Sequence, residues 1–198
     1  RPAPRMQTPR SRRRSCADRH PRIGGMGSGR RHAGLTAFTP YGPSAASSRS
    51  RVRAWLEVPQ VPATLIDYAG LPNHGARTLI EHADRVRRAE TEVRRLGRDR
   101  FEHLLIHREV TPFSAGGLAE KLAAGADHSV YDFDDALMWT EELASNRRVG
   151  PSRLARGLWS KAAACRRTVA AVDTVIAGNE VLAEWAAQYN SSIEVIPT

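Results

Sequence analysis

Three carboxylates fall within four positions at Asp132, Asp134 and Asp135, directly after the strand-forming residues Val130, Tyr131 and Phe133. Like charges that close repel one another, so a fold that gathers them either solvates them or gives them something to hold. Three other short runs carry related chemistry. Ser47-Ser48-Arg49 offers two hydroxyls and a guanidinium at the end of a small-residue stretch, 40–48. Arg108-Glu109 sets a cation beside an acid after the apolar run Leu104-Leu105-Ile106. Asn179-Glu180 follows the apolar run 173–177. Hydroxyls, guanidinium groups and carboxylates together suit a polyhydroxylated or phosphorylated ligand.

Each run also has a plainer explanation. The acids suit a helix N-terminus. Asp132-Phe133-Asp134 matches the Asp-x-Asp metal spacing, but that spacing is common and no further ligand is legible nearby, so no metal is assigned. Ser47 or Ser48 can cap a helix beginning near Arg49. Arg108 and Glu109 can pair with each other or with the acids. His103 and His107 flank one strand at even spacing and read as structural histidines. No Ser–His–acid or Cys–His arrangement can be read from spacing.

The elements that must position these runs alternate about six times between strand and helix. Strands read at 35–38, 63–68, 104–106, 130–133, 173–177 and 193–196. A first helix starts near Arg49 with Val52, Trp55 and Leu56 on one face, and Pro59 and Pro62 end it early. A long helix covers 76–96, where Leu79, Ala83, Val86, Ala89, Val93 and Leu96 recur at three or four, before Gly97. Its arginines interleave with Glu and Asp, which marks a solvated face. Shorter helices read over 118–124 behind a Ser114 cap, over 154–172, and over 181–189 with Leu182, Trp185 and Ala186 inward. The stretch 140–151 reads as a loop. This alternation predicts an α/β fold: a Rossmann-like parallel sheet of about six strands with helices on both faces. No Gly-x-Gly-x-x-Gly fingerprint is present. In such a sheet the carboxyl ends of the strands share one edge, where ligands bind. All four chemical runs sit at such ends.

The chain has 198 residues, room for one domain and a tail. No apolar run approaches the roughly 20 residues that cross a bilayer, and no signal-peptide pattern is legible. Cys16 and Cys165 lack metal-ligand spacing and read as free thiols of a reducing, cytoplasmic protein. The formal charge of +9 is local: residues 1–31 hold ten Arg against Asp18, and the other 167 residues balance twenty bases with twenty acids. Residues 1–33 therefore read as an Arg-rich arm, and 34–198 as the domain. Such an arm suits nucleic acid or anionic membrane. It carries no aromatic ring to stack on a base, and Pro2, Pro4, Pro9 and Pro21 break it, so disorder is expected and nucleic acid is disfavoured. Residues 1–25 also read as sequence upstream of a natural start at Met26.

At these residues the chain resembles the N-terminal domain of group 1 glycosyltransferases, also called family 4, of the GT-B fold. The resemblance rests on Ser47-Ser48-Arg49 with Arg51 and Arg53, His107-Arg108-Glu109, and Val130-Tyr131-Asp132-Phe133-Asp134-Asp135. It extends through the run 173–183 and the closing run 193–198, the latter similar to the strand before the interdomain crossover. It covers 34–198 and leaves 1–33 without a counterpart. The early prolines after the first helix depart from the family pattern.

The resemblance implies hexosyl transfer from a nucleotide-activated donor to a carbohydrate, lipid-linked or protein acceptor. It implies no obligatory metal and no resident cofactor, the nucleotide-sugar being a co-substrate. This half mainly holds the acceptor. A C-terminal domain missing here carries most of the nucleotide site, so this chain alone is expected to be inactive. Peripheral contact with the inner face of the membrane is compatible. The expected substrate-binding set is Ser47, Ser48, Arg49, Arg108, Glu109, Asp132, Asp134, Asp135, Asn179 and Glu180. Arg49 serves diphosphate or acceptor charge. The aspartates accept from sugar hydroxyls or orient Arg108. Asn179 and Glu180 cap a helix and line the cleft. The competing reading is a non-catalytic α/β binding module whose arm contacts nucleic acid or anionic membrane. A phosphoacceptor reading of the acids ranks below both, because it wants a Lys at a neighbouring strand end, and Lys121 and Lys161 fall in predicted helices.

Overall fold

A computed structural model of the protein describes residues 29–57, 62–139 and 161–197. Six strands form one open, wholly parallel sheet: β1 (Arg31–Thr39), β2 (Ala63–Asp67), β3 (Arg100–His107), β4 (Ala126–Phe133), β5 (Thr174–Ala177) and β6 (Ile193–Val195). Their order across the sheet is β2-β1-β3-β4-β5-β6. Helices cover both faces, giving the α/β, Rossmann-like arrangement that the alternating pattern predicts. Parallel strands buried on both faces need near-continuous apolar sequence. β3 and β4 meet that need only in part: Phe101, Leu104, Ile106, Tyr131 and Phe133 are buried, and the polar His107, Ser129 and Asp132 are buried beside them. The Tyr131 and Phe133 rings stack at 5.4 Å, and the edge of Trp185 meets Phe133 at 6.1 Å.

The helices are α1 (Ala46–Ser48), α2 (Ala54–Leu56), α3 (Ala76–Glu81), α4 (Ala83–Leu96), α5 (Gly117–Ala124), α6 (Lys161–Ala171) and α7 (Glu180–Ala186). A π-helical stretch, Arg49–Arg53, joins α1 to α2, and a 3-10 turn spans Leu137–Trp139. The apolar stripe of α4 buries Val86, Ala89, Val93 and Leu96, as its spacing predicts, whereas Ala83 of the same stripe is exposed. The N-cap of α5 is Gly116, and Ser114, two residues before it, accepts from the Leu118 amide at 3.0 Å in the first turn; Asn179 caps α7 by accepting from Leu182 at 3.0 Å.

Three expectations are corrected. The single helix over 76–96 is two, because His82 (φ −117°, ψ 32°) leaves helical geometry between α3 and α4. The first helix begins at Ala46, with Ala45 at its N-cap and no side-chain cap bond, so neither Ser47 nor Ser48 caps it. Within that helix the Ala54 amide reaches the Arg49 carbonyl, one residue beyond the α-helical partner. The wider turn shifts the phase of the side chains. Arg51 and Val52 turn inward, and Trp55, expected inward, is 62% exposed. The basic arm through residue 28, Pro59, the loop over 140–151 and the start of the helix expected at 154 lie outside the described residues.

Candidate functional site

The chain runs from β1 outward to β2, then crosses back to place β3 on the other side of β1. The sheet therefore has its topological switch point between β1 and β3. Ligands of open α/β sheets bind in the crevice outside that point, where the two strand-end loops part. Arg108 lies there, directly after β3. Its φ is 61°, and the Glu109 amide donates to the His107 carbonyl at 2.8 Å. This closes a γ-turn with a positive φ at its centre, a rare and strained form for a residue with a side chain.

Four ties hold the turn in place. The Arg108 amide donates to the Asp132 carbonyl at 2.8 Å. The Tyr131 hydroxyl donates to the Arg108 carbonyl at 2.8 Å. Burial pushes the Tyr131 phenol well above its usual range, so it stays a proton donor. The Arg108 guanidinium pairs with Asp135 and donates to the Ser47 hydroxyl at 3.3 Å. It also stands 5.6 Å from the centre of the Tyr41 ring. One cation thus ties together the loops that follow β1, β3 and β4.

Inside this rim lies a buried charge cluster. Arg51, brought inward by the π-helical turn, makes a two-pronged pair with Asp132, with Nε at 3.3 Å from Oδ2. Its third donor reaches the Ile196 carbonyl at 2.5 Å, just past β6. His107 is the cross-strand neighbour of Asp132, and its Nδ1 lies 2.7 Å from Oδ2. The Arg51 and Asp132 side chains are each 4% exposed, and the His107 side chain has no exposure. His107 Nε2 has no partner among the described residues. His107 is thus a structural histidine on one nitrogen, while His103 stays exposed.

A second cluster sits beside Arg108. Glu109 lies 3.1 Å from His74 Nδ1 and 3.5 Å from Lys161 Nζ. Burial pushes Glu109 up. The His74 bond and the nearby Lys161 ammonium outweigh it and hold the carboxyl below its usual range, hence ionised. The His74 ring packs at a steep angle on both Tyr41 and Tyr68, with centroids 4.9 and 5.1 Å apart. The loop after β1 docks closely on the loop after β2. The Gly42 amide donates to the Leu71 carbonyl at 2.8 Å, and a Cβ on Gly42 would lie 2.6 Å from the Gly70 carbonyl oxygen. That close approach delivers Tyr41 onto His74.

The expected set divides accordingly. Ser47, Arg108 and Asp135 converge at the switch point, and Glu109 adjoins them. Asp135, not Asp132, holds Arg108. Asp132 is committed to Arg51 and His107. Asp134 is partly buried, and its Oδ1 has no partner among the described residues. Ser48 is wholly buried, bonded to Thr39 at 2.6 Å and to the Tyr41 carbonyl at 3.1 Å. Arg49 is exposed and folds back on its own loop, donating to the Ser44 carbonyl at 2.7 Å. Asn179 caps α7, and Glu180 is exposed in its first turn. Arg51, His74, Tyr41 and Lys161 were not on that list. Extending the strand-end rule to the loop after β2 flags His74. Lys161 does lie in a helix, α6, yet its ammonium reaches Glu109 at the strand end. Arg51 has no sequence signal as a site residue apart from the family resemblance, because its inward turn depends on the π-helical geometry. Among the described residues, no group of three or more His, Cys, Asp or Glu is arranged to hold a metal ion. No helix among them is long and apolar enough to cross a membrane. Compared with known proteins, the chain matches no protein-family model and no curated protein.

Proposed function

We propose that this chain forms the acceptor side of the cleft of a glycosyltransferase, where a sugar passes from a nucleotide-activated donor to an acceptor hydroxyl. One observation supports this most: Arg108, on a strained turn at the β1–β3 switch point, stands among the Ser47 hydroxyl, the Asp135 carboxylate and the Tyr41 ring. A guanidinium recognises phosphate or carboxylate. Carboxylates and hydroxyls accept from sugar hydroxyls, and an aromatic face offers a flat apolar surface. Backbone strain held by four bonds is the kind kept at binding sites. Of the residues that carry the family resemblance, Ser47, Arg108, Glu109 and Asp135 sit at this crevice, with Ser48, Arg51, His107 and Asp132 directly behind it. In this reading a second domain supplies most of the nucleotide site, and the 198 residues alone do not turn over. Half a cleft neither excludes water nor orients both substrates.

The test is binding to the 198-residue chain by saturation-transfer NMR, with UDP-glucose, GDP-mannose and a set of methyl glycosides as probes. At least one methyl glycoside should bind. Arg108→Ala or Asp135→Asn should weaken it roughly tenfold or more, the scale of one lost charge-assisted hydrogen bond, with circular dichroism unchanged. Absence of binding, or binding indifferent to both substitutions, overturns the proposal.

A further inference from the structure

Arg51, Asp132 and His107 form a charge cluster whose side chains are buried too deeply for a ligand to touch. An ion pair taken out of water is weak evidence for stability, because packed apolar side chains of the same size serve as well or better. The cluster therefore needs another reason, and its position supplies one. His107 and Asp132 face each other on the last rung between β3 and β4. The Arg108 turn hangs from the carbonyls of these same two residues. The Glu109 amide donates to His107 and the Arg108 amide to Asp132, each at 2.8 Å. The two side chains are bonded to one another at 2.7 Å. Arg51 then fixes Asp132 from the segment after β1. Its planar fork has all three arms engaged, two on the carboxylate and one on the Ile196 carbonyl. Main chain and side chain of one rung are thus both held. A residue at φ 61° keeps that conformation only where its surroundings over-determine it. The Tyr131 hydroxyl and Asp135 grip Arg108 itself, whereas the cluster grips the rung from which the turn starts.

We infer that Arg51 is a positioning residue for Arg108. Through Asp132 and His107 it keeps the turn at positive φ, and so keeps the guanidinium among Ser47, Asp135 and Tyr41. Arg51 does this without touching ligand. What it does for an acceptor rests on the glycosyltransferase reading; its support of the turn does not. The inference also gives the π-helical turn a task. Such turns recur at functional sites. Here the wider turn carries one guanidinium inward to the rung beneath a second one at the crevice.

Amide hydrogen exchange and φ-dependent NMR couplings on the 198-residue chain test this, with Arg51→Met combined with Asp132→Leu as the main variant. That variant leaves no unpaired buried charge, so its global stability approaches the wild type while the clamp is gone. The amides of Arg108 and Glu109 should nevertheless exchange roughly tenfold faster than in the wild type, the scale of one weakened hydrogen bond. The couplings of Arg108 should move away from positive φ. Amides of β2, two strands from β3, should keep wild-type rates. A methyl glycoside that binds the wild-type chain should bind the double variant roughly tenfold more weakly. Wild-type exchange and couplings in a stable double variant would make Arg51 a structural group only and overturn the inference. So would a glycoside that depends on Arg108 yet binds the double variant with wild-type affinity. Failure of every glycoside to bind the wild-type chain overturns the glycosyltransferase reading, while the exchange comparison, which needs no ligand, still decides on Arg51. If the double variant does not fold, Arg51→Lys decides, since it leaves a cation beside Asp132 but no fork. It should loosen the same two amides, and wild-type rates at both overturn the inference.

Discussion

Asp132 keeps its charge almost entirely out of water, with Arg51 on one side and His107 on the other. Removing either partner of such a pair leaves a buried charge uncompensated, at about 3–5 kcal/mol. Asp132→Leu should therefore destabilise the chain by roughly that amount in urea unfolding, and Arg51→Met by a similar amount. The double variant, Arg51→Met with Asp132→Leu, should recover much of the loss, because no unpaired charge remains. Additive losses would show that the two groups do not compensate one another. The test also separates roles among the three acids. Asp135 is half-exposed and pairs with Arg108 at the rim, so Asp135→Asn should leave stability within about 1 kcal/mol. At this scale little of the site was legible. Composition marks Asp132, Asp134 and Asp135 as alike. Burial and neighbours make one a structural anchor, one a rim group and one a partly buried acid with an unpartnered oxygen.

The γ-turn at Arg108 and the π-helical turn at 49–53 are the two elements that make the site, and they differ in what the sequence reveals. The turn could be placed, since an apolar strand ending in Arg108-Glu109 points to the rim, but its strain could not. A positive φ is no sequence signal in an arginine, the way it is in a glycine. The strain has a measurable consequence. Arg108→Gly and Arg108→Ala both remove the guanidinium, and they differ only in whether a Cβ must sit at φ 61°. The glycine variant should be the more stable by about 1 kcal/mol, the reverse of their usual order in regular structure. An alanine variant equal to or above the glycine variant in urea midpoint would mean that the turn relaxes and stores no strain. The regular elements were easier to read. α4 follows from burial at a spacing of three to four, and the Asn179 cap and the Ser114 bond to the first turn of α5 follow from side-chain chemistry. The break at His82 and the phase shift that exposes Trp55 were hidden, because both are changes of backbone geometry that leave the apolar spacing of the sequence unchanged.

Across the whole molecule, the order β2-β1-β3-β4-β5-β6 decides which strand ends share the crevice. Alternation in the sequence predicts a parallel sheet and one binding edge, but not the pairing order, which depends on contacts between residues far apart along the chain. The order singles out the loops after β1 and β3 and leaves Asn179 and Glu180, after β5, two strands beyond β3. Charge is divided on the same scale. Residues 1–28 carry eight Arg against Asp18, whereas residues 32–198 are neutral in sum. Two molecules with the same site should therefore behave oppositely towards polyanions. The full chain should bind DNA or vesicles rich in phosphatidylserine at low salt. With about six phosphate contacts, its affinity should fall roughly a thousandfold between 50 and 200 mM salt. A chain beginning at Gly29 keeps β1 whole and should bind neither surface at any of these salt concentrations, while its methyl glycoside affinity stays unchanged. Sedimentation with vesicles and fluorescence anisotropy with a DNA duplex make the comparison. Equal binding by the two chains would place the anion-binding surface on the folded body. The guanidinium groups of Arg49, Arg53 and Arg108 would then be the first residues to substitute, because they stand at the edge where phosphate is expected.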